Sequence, residues 1–266
     1  MSDNNNNITI KFELPQVANE AILPLAKSIG KTLSLTWDGL FMGVETWYYK
    51  KKIDQENNLK LYQENIQQEL NDIPEDNIQE PKMNIMGPAL EASRYYFEEE
   101  QYRIMFSKLI AKSCDNRFNT KIHPFFVDAI KQMSPLDAKI LSLFKTNDTH
   151  PLANYRYKMH NSNGYNHLVK YVFYIDGNYT DPRNNSSSLI NLQRLGFITI
   201  SFDQLMFKND AYDIYYSDPF YKQEKRIIKE KFKNPSEICE YDDLIIRKGV
   251  LIITPLGQDF LDICIE

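Results

Sequence analysis

The chain has 266 residues, with 31 lysine and arginine residues against 36 aspartate and glutamate residues, which gives a net charge of −5. This balance disfavours a protein that binds nucleic acid indiscriminately over its whole surface, although it is compatible with a local basic patch. With 42% hydrophobic residues, the chain is long enough to bury the core of one or two domains. The three cysteines, Cys114, Cys239 and Cys264, are widely spaced and form no CxxC pair, which favours a reducing, cytoplasmic environment over a disulfide framework.

Residues 1–14 begin with the polar run MSDNNNN, which predicts a disordered tail and is unlike a signal peptide. Residues 15–132 are predicted to form a helical region. Its first helix, over 16–48, has apolar residues at steps of three and four, namely Ile22, Leu25, Ile29, Leu33, Trp37, Leu40, Val44 and Trp47.

The first helix has two interpretations. Every window of about 20 residues that would cross a membrane is interrupted by charged residues, namely Lys27, Lys31, Asp38 and Glu45, so the pattern favours a core helix. The alternative is an interfacial helix that enters a membrane when the protein is activated. A second amphipathic helix is predicted over 54–71.

The segment from residue 79 to 145 predicts three further helices. Pro88, Pro124 and Pro135 each suit the first turn of a helix, where a missing N–H costs no hydrogen bond. Ser134 before Pro135, followed by Asp137, predicts an N-cap with an acidic residue in the first turn.

Several segments resemble the abortive infection alpha family of bacterial proteins. They are PALEA at 88–92, MFSKLIAKS at 105–113, HPFFVDAIKQMSPLDAKIL at 123–141, LQRLGFI at 192–198 and ITPLGQDFLDIC at 253–264. The resemblance implies a role in phage resistance. It supplies no catalytic residues.

Residues 133–266 are predicted to form a small α+β domain resembling a winged helix, so that the whole chain is mainly α. The helix at 187–195 takes the position of a recognition helix, and strands at 197–202 and 250–253 form the wing. A further strand is predicted at 169–175, and residues 146–155 are predicted to be a loop. Residues 203–248 are an insert in the wing that matches no family segment.

The recognition-helix position leads to the alternative function of a DNA-binding regulator. Asn191 and Arg194 are its candidate nucleic-acid contacts. A single arginine is a poor means of neutralising phosphates, so this function ranks below partner binding.

The insert contains the most suggestive surface. A tyrosine-rich stretch over 210–221, with Tyr215 and Tyr216, precedes six basic residues and two acidic ones, a local balance of +4. Basic and aromatic residues together favour an anionic partner, either protein or nucleic acid, whereas the alternative is an ordinary charged helix. The predicted partner-binding cations are Lys222, Lys225, Arg226, Lys229, Lys231 and Lys233.

The sequence predicts no catalytic residues, no metal site and no cofactor. The four histidines are spread between His123 and His167 without the short spacings of a metal site. No phosphate-binding glycine loop or nucleophile motif is present, although a nuclease with scattered acids stays open. The leading hypothesis is therefore a cytoplasmic, non-enzymatic antiphage protein that acts by binding a partner, with oligomerisation left open.

Overall fold

The computed structural model describes residues 11–14, 20–41, 52–160, 162–208, 210–233 and 240–265. The chain is mainly helical, as predicted, and carries one four-stranded antiparallel sheet. It divides into two compact units, residues 1–132 with 259–266, and residues 133–258. Each unit is described separately below.

The first unit is built from helices around a central one. Its helices are α1 (Leu23–Phe41), α2 (Lys52–Asn71), α3 (Met83–Ser93), α4 (Glu100–Lys112) and α5 (Phe125–Gln132). Helix α4 packs against α2, α3, α5 and the π-helical turn Leu261–Ile265 near the C-terminus. Phe126 of α5 meets Phe260 edge to face at 5.2 Å between ring centres, which links the C-terminal segment to this core.

Helix α1 is a core helix over its described length. Ile29, Leu33 and Trp37 are each 1% exposed, and the Trp37 ring lies 5.3 Å from that of Tyr62 on α2. The apolar stripe is thus used in packing within the unit, and no helix in the described ranges has the length and apolarity needed to cross a membrane. The predicted continuation of this helix over 42–48 lies outside the described residues.

The chain before α1 is partly packed, which corrects the prediction of a disordered tail at its end. Phe12 is 4% exposed and its ring lies 5.4 Å from that of Trp37. The Phe12 backbone N–H donates to the Ser34 hydroxyl at 3.1 Å. Residues 11–14 are therefore part of the first unit, whereas 1–10 are outside the described residues.

The segment from residue 79 to 145 forms four α-helices where three were predicted, and the boundaries differ from the prediction at Pro88 and at Pro124, which immediately precedes α5. Helix α3 begins at Met83, so Pro88 lies inside the helix instead of in its first turn. Ser134 and Asp137 do form a capping box at the start of α6 (Pro135–Ser142), with Pro135 in the first turn. This confirms the predicted cap.

The second unit consists of a sheet and short helices. After α6 the elements are β1 (Thr149–Met159), β2 (Tyr165–Val172), α7 (Ser186–Arg194), β3 (Ile198–Ser201), α8 (Asp213–Ser217), α9 (Pro219–Lys233), β4 (Tyr241–Ile253) and α10 (Pro255–Phe260). The strand order is β2-β1-β4-β3, and all neighbours are antiparallel.

Two predictions for this sheet were wrong. Residues 146–155, predicted to be a loop, contain most of β1, the long strand that pairs with both β2 and β4. Strand β4 begins at Tyr241, so the last residues of the predicted insert belong to the sheet. Helices α8 and α9 therefore lie between β3 and β4 in the sequence, and β4 pairs with β1 as well as with β3.

Helix α7 and strands β3 and β4 lie near the segments predicted for a winged helix, within a sheet that has two additional strands. Helix α7 packs on α6, and β3 pairs with β4. Gly196, with φ of +78°, ends α7 in the left-handed conformation that glycine tolerates best. The winged-helix description of this unit remains an interpretation.

Candidate functional site

Helices α8 and α9 cover one face of the sheet through a buried set of tyrosines, here called the tyrosine cluster: Tyr155, Tyr174, Tyr212, Tyr215 and Tyr221. Each hydroxyl donates to a protein oxygen. Tyr155 and Tyr174 both donate to Oδ2 of Asp218 at 2.6 Å. The other three donate to backbone carbonyls of strand residues, Pro151, Gly249 and Leu244. Burial raises the pKa of all five phenols.

Asp218 joins the cluster to the start of α9. The residue is 1% exposed, and its Oδ1 accepts a hydrogen bond from the Phe220 backbone N–H at 2.8 Å. An aspartate before a proline at the first helical position is a favourable N-cap, because it satisfies an N–H that the helix leaves free. The Asp218 carboxylate therefore caps α9 and also accepts hydrogen bonds from two tyrosines, Tyr155 on β1 and Tyr174 just after β2.

The tyrosine-rich stretch is thus mainly a packing element, which corrects one predicted contact residue. Tyr215 is 1% exposed and lies in the core, so it is not on a surface that a partner can reach. Its neighbour Tyr216 is 45% exposed. The pattern of a buried and an exposed tyrosine in adjacent positions follows from the helical rotation of α8 against the sheet.

The exposed side of α9 forms an open groove of about 510 Å³, called the α9 groove. The groove is lined by Tyr216, Tyr221, Lys222, Lys225, Arg226, Lys229 and Glu230. Its cations recur at three- and four-residue steps, which places them along one side of the helix. Ile228, on the other side, is buried against the sheet, and Tyr221 reaches from that buried cluster to the edge of the groove.

The cations of the groove have different roles. Lys225 is half-buried, and its ammonium donates to Asp243 at 3.2 Å and to the Leu244 carbonyl at 3.0 Å. Burial lowers its pKa, but hydrogen bonds to Tyr221 and Asp243 outweigh this effect, so the pKa is raised and the charge is retained. Lys225 therefore fastens α9 to β4.

The remaining cations point outward. Lys222 and Lys229 are exposed and have no acidic partner among the described residues. Arg226 has 73% of its side chain exposed and lies 3.9 Å from Glu230, an exposed pair of small energetic value. These three side chains are available to an anionic ligand at little cost in desolvation.

One cation near the groove was missed by the sequence analysis. Lys248 of β4 lies over the rings of Tyr212 and Tyr216, at 4.9 and 5.5 Å from their centres. Lys248 lies beneath α8 because β4 pairs with β1, and the residues around it in the sequence do not predict this position. Lys231 is exposed on α9 but does not line the groove, and the side chain of Lys233 lies outside the described residues.

The predicted nucleic-acid contacts on α7 are bound within the protein. Asn191 donates to Oδ2 of Asp137 at 2.8 Å, and its own oxygen accepts from the Arg194 guanidinium at 2.8 Å. This chain of hydrogen bonds ties α7 to the cap of α6. The structure does not bring Asn191 and Arg194 together with the α9 groove cations in any contact that it describes.

The described residues contain no cluster of three or more histidine, cysteine or acidic side chains fit to hold a metal. His150 Nε2 donates a hydrogen bond to the Leu143 carbonyl at 3.1 Å, and burial lowers its pKa. Cys114 and Cys264 are buried free thiols. Burial raises the pKa of Cys114 to about 12, which suppresses the reactive thiolate. In the part of the chain that the structure describes, these groups therefore offer neither a metal-binding cluster nor a thiol with a lowered pKa.

The sequence matches the abortive infection alpha family over residues 54–264. No curated protein matches it. A solved structure of an uncharacterized protein from the hydrocarbon-degrading marine bacterium Alcanivorax borkumensis SK2 is similar at 14% identity. The similarity covers 56% of this chain and 94% of that one, with a TM-score of 0.30.

Proposed function

Because the chain belongs to the abortive infection alpha family, we propose that it is a bacterial antiphage defence protein that acts by binding an anionic partner in the α9 groove. Membership of the family suggests the defence role. The observation that supports the binding site is the groove itself, in which Lys222, Arg226 and Lys229 project from a helix whose opposite side is fixed to the sheet.

The exposed cations contribute little to the stability of α9. The tyrosine cluster and the Asp218 cap attach the helix, and Lys225 supplies the ion pair to β4. Exposed surface charges add little to the stability of a fold, even in a pair such as Arg226 with Glu230, and like charges repel one another weakly. Their gathering beside the exposed ring of Tyr216 is therefore better explained by a ligand that carries negative charge.

The defence role is tested by plating a broad panel of phages on cells with and without the gene. We expect reduced plating of at least one phage. Equal plating across the panel would remove the defence role. Partner binding is tested separately, by capture from infected and uninfected cells with the wild-type chain and a Lys222→Glu, Arg226→Glu, Lys229→Glu variant as bait. A partner retained equally by both baits would contradict the assignment to the groove.

The two alternatives have weaker support. A winged-helix DNA-binding regulator needs polar groups on α7 that are free to meet DNA, whereas Asn191 and Arg194 are bonded to each other and to Asp137. A membrane-active effector needs the apolar stripe of α1, which is buried within the first unit. A gel-shift titration with duplex DNA at low salt tests the first, and flotation with anionic vesicles tests the second.

A further inference from the structure

The sheet of the second unit presents a second cationic surface on the face opposite α8 and α9. Successive residues of a strand point to opposite faces, so Tyr155 of β1 faces the tyrosine cluster and Arg156 faces away from it. In the register, Arg156 pairs with His167 of β2, and Arg247 of β4 pairs with Asn154, two residues from Arg156 on β1. Three adjacent strands thus contribute cationic or protonatable groups to one face.

Two aromatic rings orient the guanidinium groups on this face. The Arg156 guanidinium lies over the ring of Tyr165, 4.5 Å from its centre, and the Arg247 guanidinium lies over Phe202 at 4.8 Å. Phe202 reaches the sheet because Gly249 lies beneath it, where a Cβ would come within 2.6 Å of the ring. A stacked guanidinium is held in plane with its N–H edge free to bind an oxyanion. These side chains, with His167 and Lys170, are called the cationic sheet face.

The charges on this face are poorly compensated within the protein. Arg156 Nε is buried and has no hydrogen-bond partner among the residues that the structure describes. Arg247 lies 4.0 Å from Asp203, whose side chain is 95% exposed and so screened by water. Burial and the neighbouring Arg247 lower the pKa of Arg156, and burial, Lys170, Arg156 and Arg247 lower that of His167. A negatively charged ligand on this face would relieve the repulsion between its cations.

We propose that the cationic sheet face binds single-stranded nucleic acid, with Arg156 and Arg247 on its phosphates and Tyr165 beside its bases. Neighbouring strands lie about 4.8 Å apart, so cations on three strands span about 10 Å. That width suits the repeating charge of a strand better than a single phosphate group. Tyr165 is 44% exposed, and an exposed ring among arginines favours unpaired bases over an acidic protein. The inference does not depend on the α9 groove.

The test is fluorescence anisotropy with a labelled 15-nucleotide oligo-dT and its RNA counterpart, titrated with the full chain at several salt concentrations. We expect binding of at least one oligonucleotide at low salt, weakened at least tenfold in an Arg156→Gln, Arg247→Gln variant. Loss of two phosphate contacts should reduce the slope of log affinity against log salt by about 1.4. The matched control, Lys27→Gln with Lys60→Gln, removes two exposed charges from the first unit and should bind as the wild type does.

A second readout separates binding from folding. The Arg156→Gln, Arg247→Gln variant should melt within about 3 °C of the wild type, since it removes an unmet donor and a repulsion. In the wild type, the oligonucleotide should raise the pKa of His167, followed by NMR and assigned with His167→Gln. No binding by the wild type, an unaffected variant, or equal binding of poly-glutamate would each overturn the inference. Loss of oligonucleotide binding only in the α9 triple variant would overturn it too, and would assign nucleic acid to the α9 groove.

Discussion

The hydroxyl of Tyr155, on the central strand β1, donates a 2.6 Å hydrogen bond to Oδ2 of Asp218, the residue between α8 and α9. Both groups are buried, and the same oxygen accepts from Tyr174. Hydrogen bonds to a buried carboxylate are strong, and the carboxylate is costly to leave without them. This contact therefore determines how firmly the helix of the proposed binding groove is attached to the sheet.

Replacement of Asp218 by alanine should lower the free energy of unfolding by about 3 kcal/mol, since it removes two charge-assisted bonds and the α9 cap. Tyr155→Phe and Tyr174→Phe should each cost about 1.5 kcal/mol, with a coupling of at least about 0.5 kcal/mol between them because they share an acceptor. Urea denaturation measures all three.

The matched control for these variants is Tyr179→Phe, because the Tyr179 hydroxyl is 3.1 Å from the Ile214 carbonyl and its residue is 43% exposed. It should cost less than about 0.5 kcal/mol. If Asp218→Ala costs no more than this control, the contact does not attach α9.

The tyrosine cluster also predicts sensitivity to alkali. Burial raises the folded-state pKa of Tyr155, Tyr174 and Tyr215 above the unfolded value near 10. The stabilisation is therefore complete below about pH 10 and is lost above it, where the unfolded chain releases protons that the folded chain keeps. Each such tyrosine should reduce the unfolding free energy by about 1.4 kcal/mol per pH unit above that point.

This loss is measured as the urea midpoint between pH 8 and 11.5, with tyrosinate absorbance recorded in parallel. A Tyr155→Phe, Tyr174→Phe variant should show a shallower decline. Full ionisation of every tyrosine near pH 10 in a chain that stays folded would contradict the buried cluster.

Cys114 and Cys264 should be unreactive in the native protein, because burial raises the pKa of both thiols. For Cys114 the shift from the usual value to about 12 reduces the thiolate fraction by roughly a thousandfold. In a Cys239→Ser variant, a thiol reagent at pH 8 should label no cysteine until denaturant is added. Rapid labelling of the native variant would show that at least one of the two sites is accessible.

The sequence allowed local features to be predicted well. The Ser134–Asp137 cap, the α2 helix and the end of α7 at Gly196 depend on residues a few positions apart, and the structure contains all three. Strand β1 was missed because its sequence, with His150, Pro151 and Asn154, resembles a loop. It is a strand because β4, about 100 residues later, pairs along its whole length.

Only part of the candidate site could be predicted, because the rest depends on contacts between residues that are far apart in the sequence. The basic residues of α9 were found from composition, but their division between Lys225, bound to Asp243, and the exposed Lys222 and Lys229 depends on where β4 lies. Tyr215 is buried by packing against strands distant in the sequence, and its hydroxyl donates to the Pro151 carbonyl, 64 residues away. Arg156 and Arg247 lie on one face of the sheet because β1 pairs with β4, and no local sequence pattern predicts that they are close together.

The central claim is that the exposed cations of the α9 groove are required for defence, and phage plating on a charge-reversal variant tests it most directly. The variant Lys222→Glu, Arg226→Glu, Lys229→Glu leaves Lys225 and its ion pair in place. The control Lys27→Glu, Lys31→Glu, Lys60→Glu makes the same change in net charge on exposed residues of α1 and α2. Both should keep their unfolding free energies within about 1 kcal/mol of the wild type. With a phage that the wild type restricts, the account predicts plating restored to that of cells lacking the gene in the α9 variant and full restriction in the control. Full restriction by a folded α9 variant would contradict it.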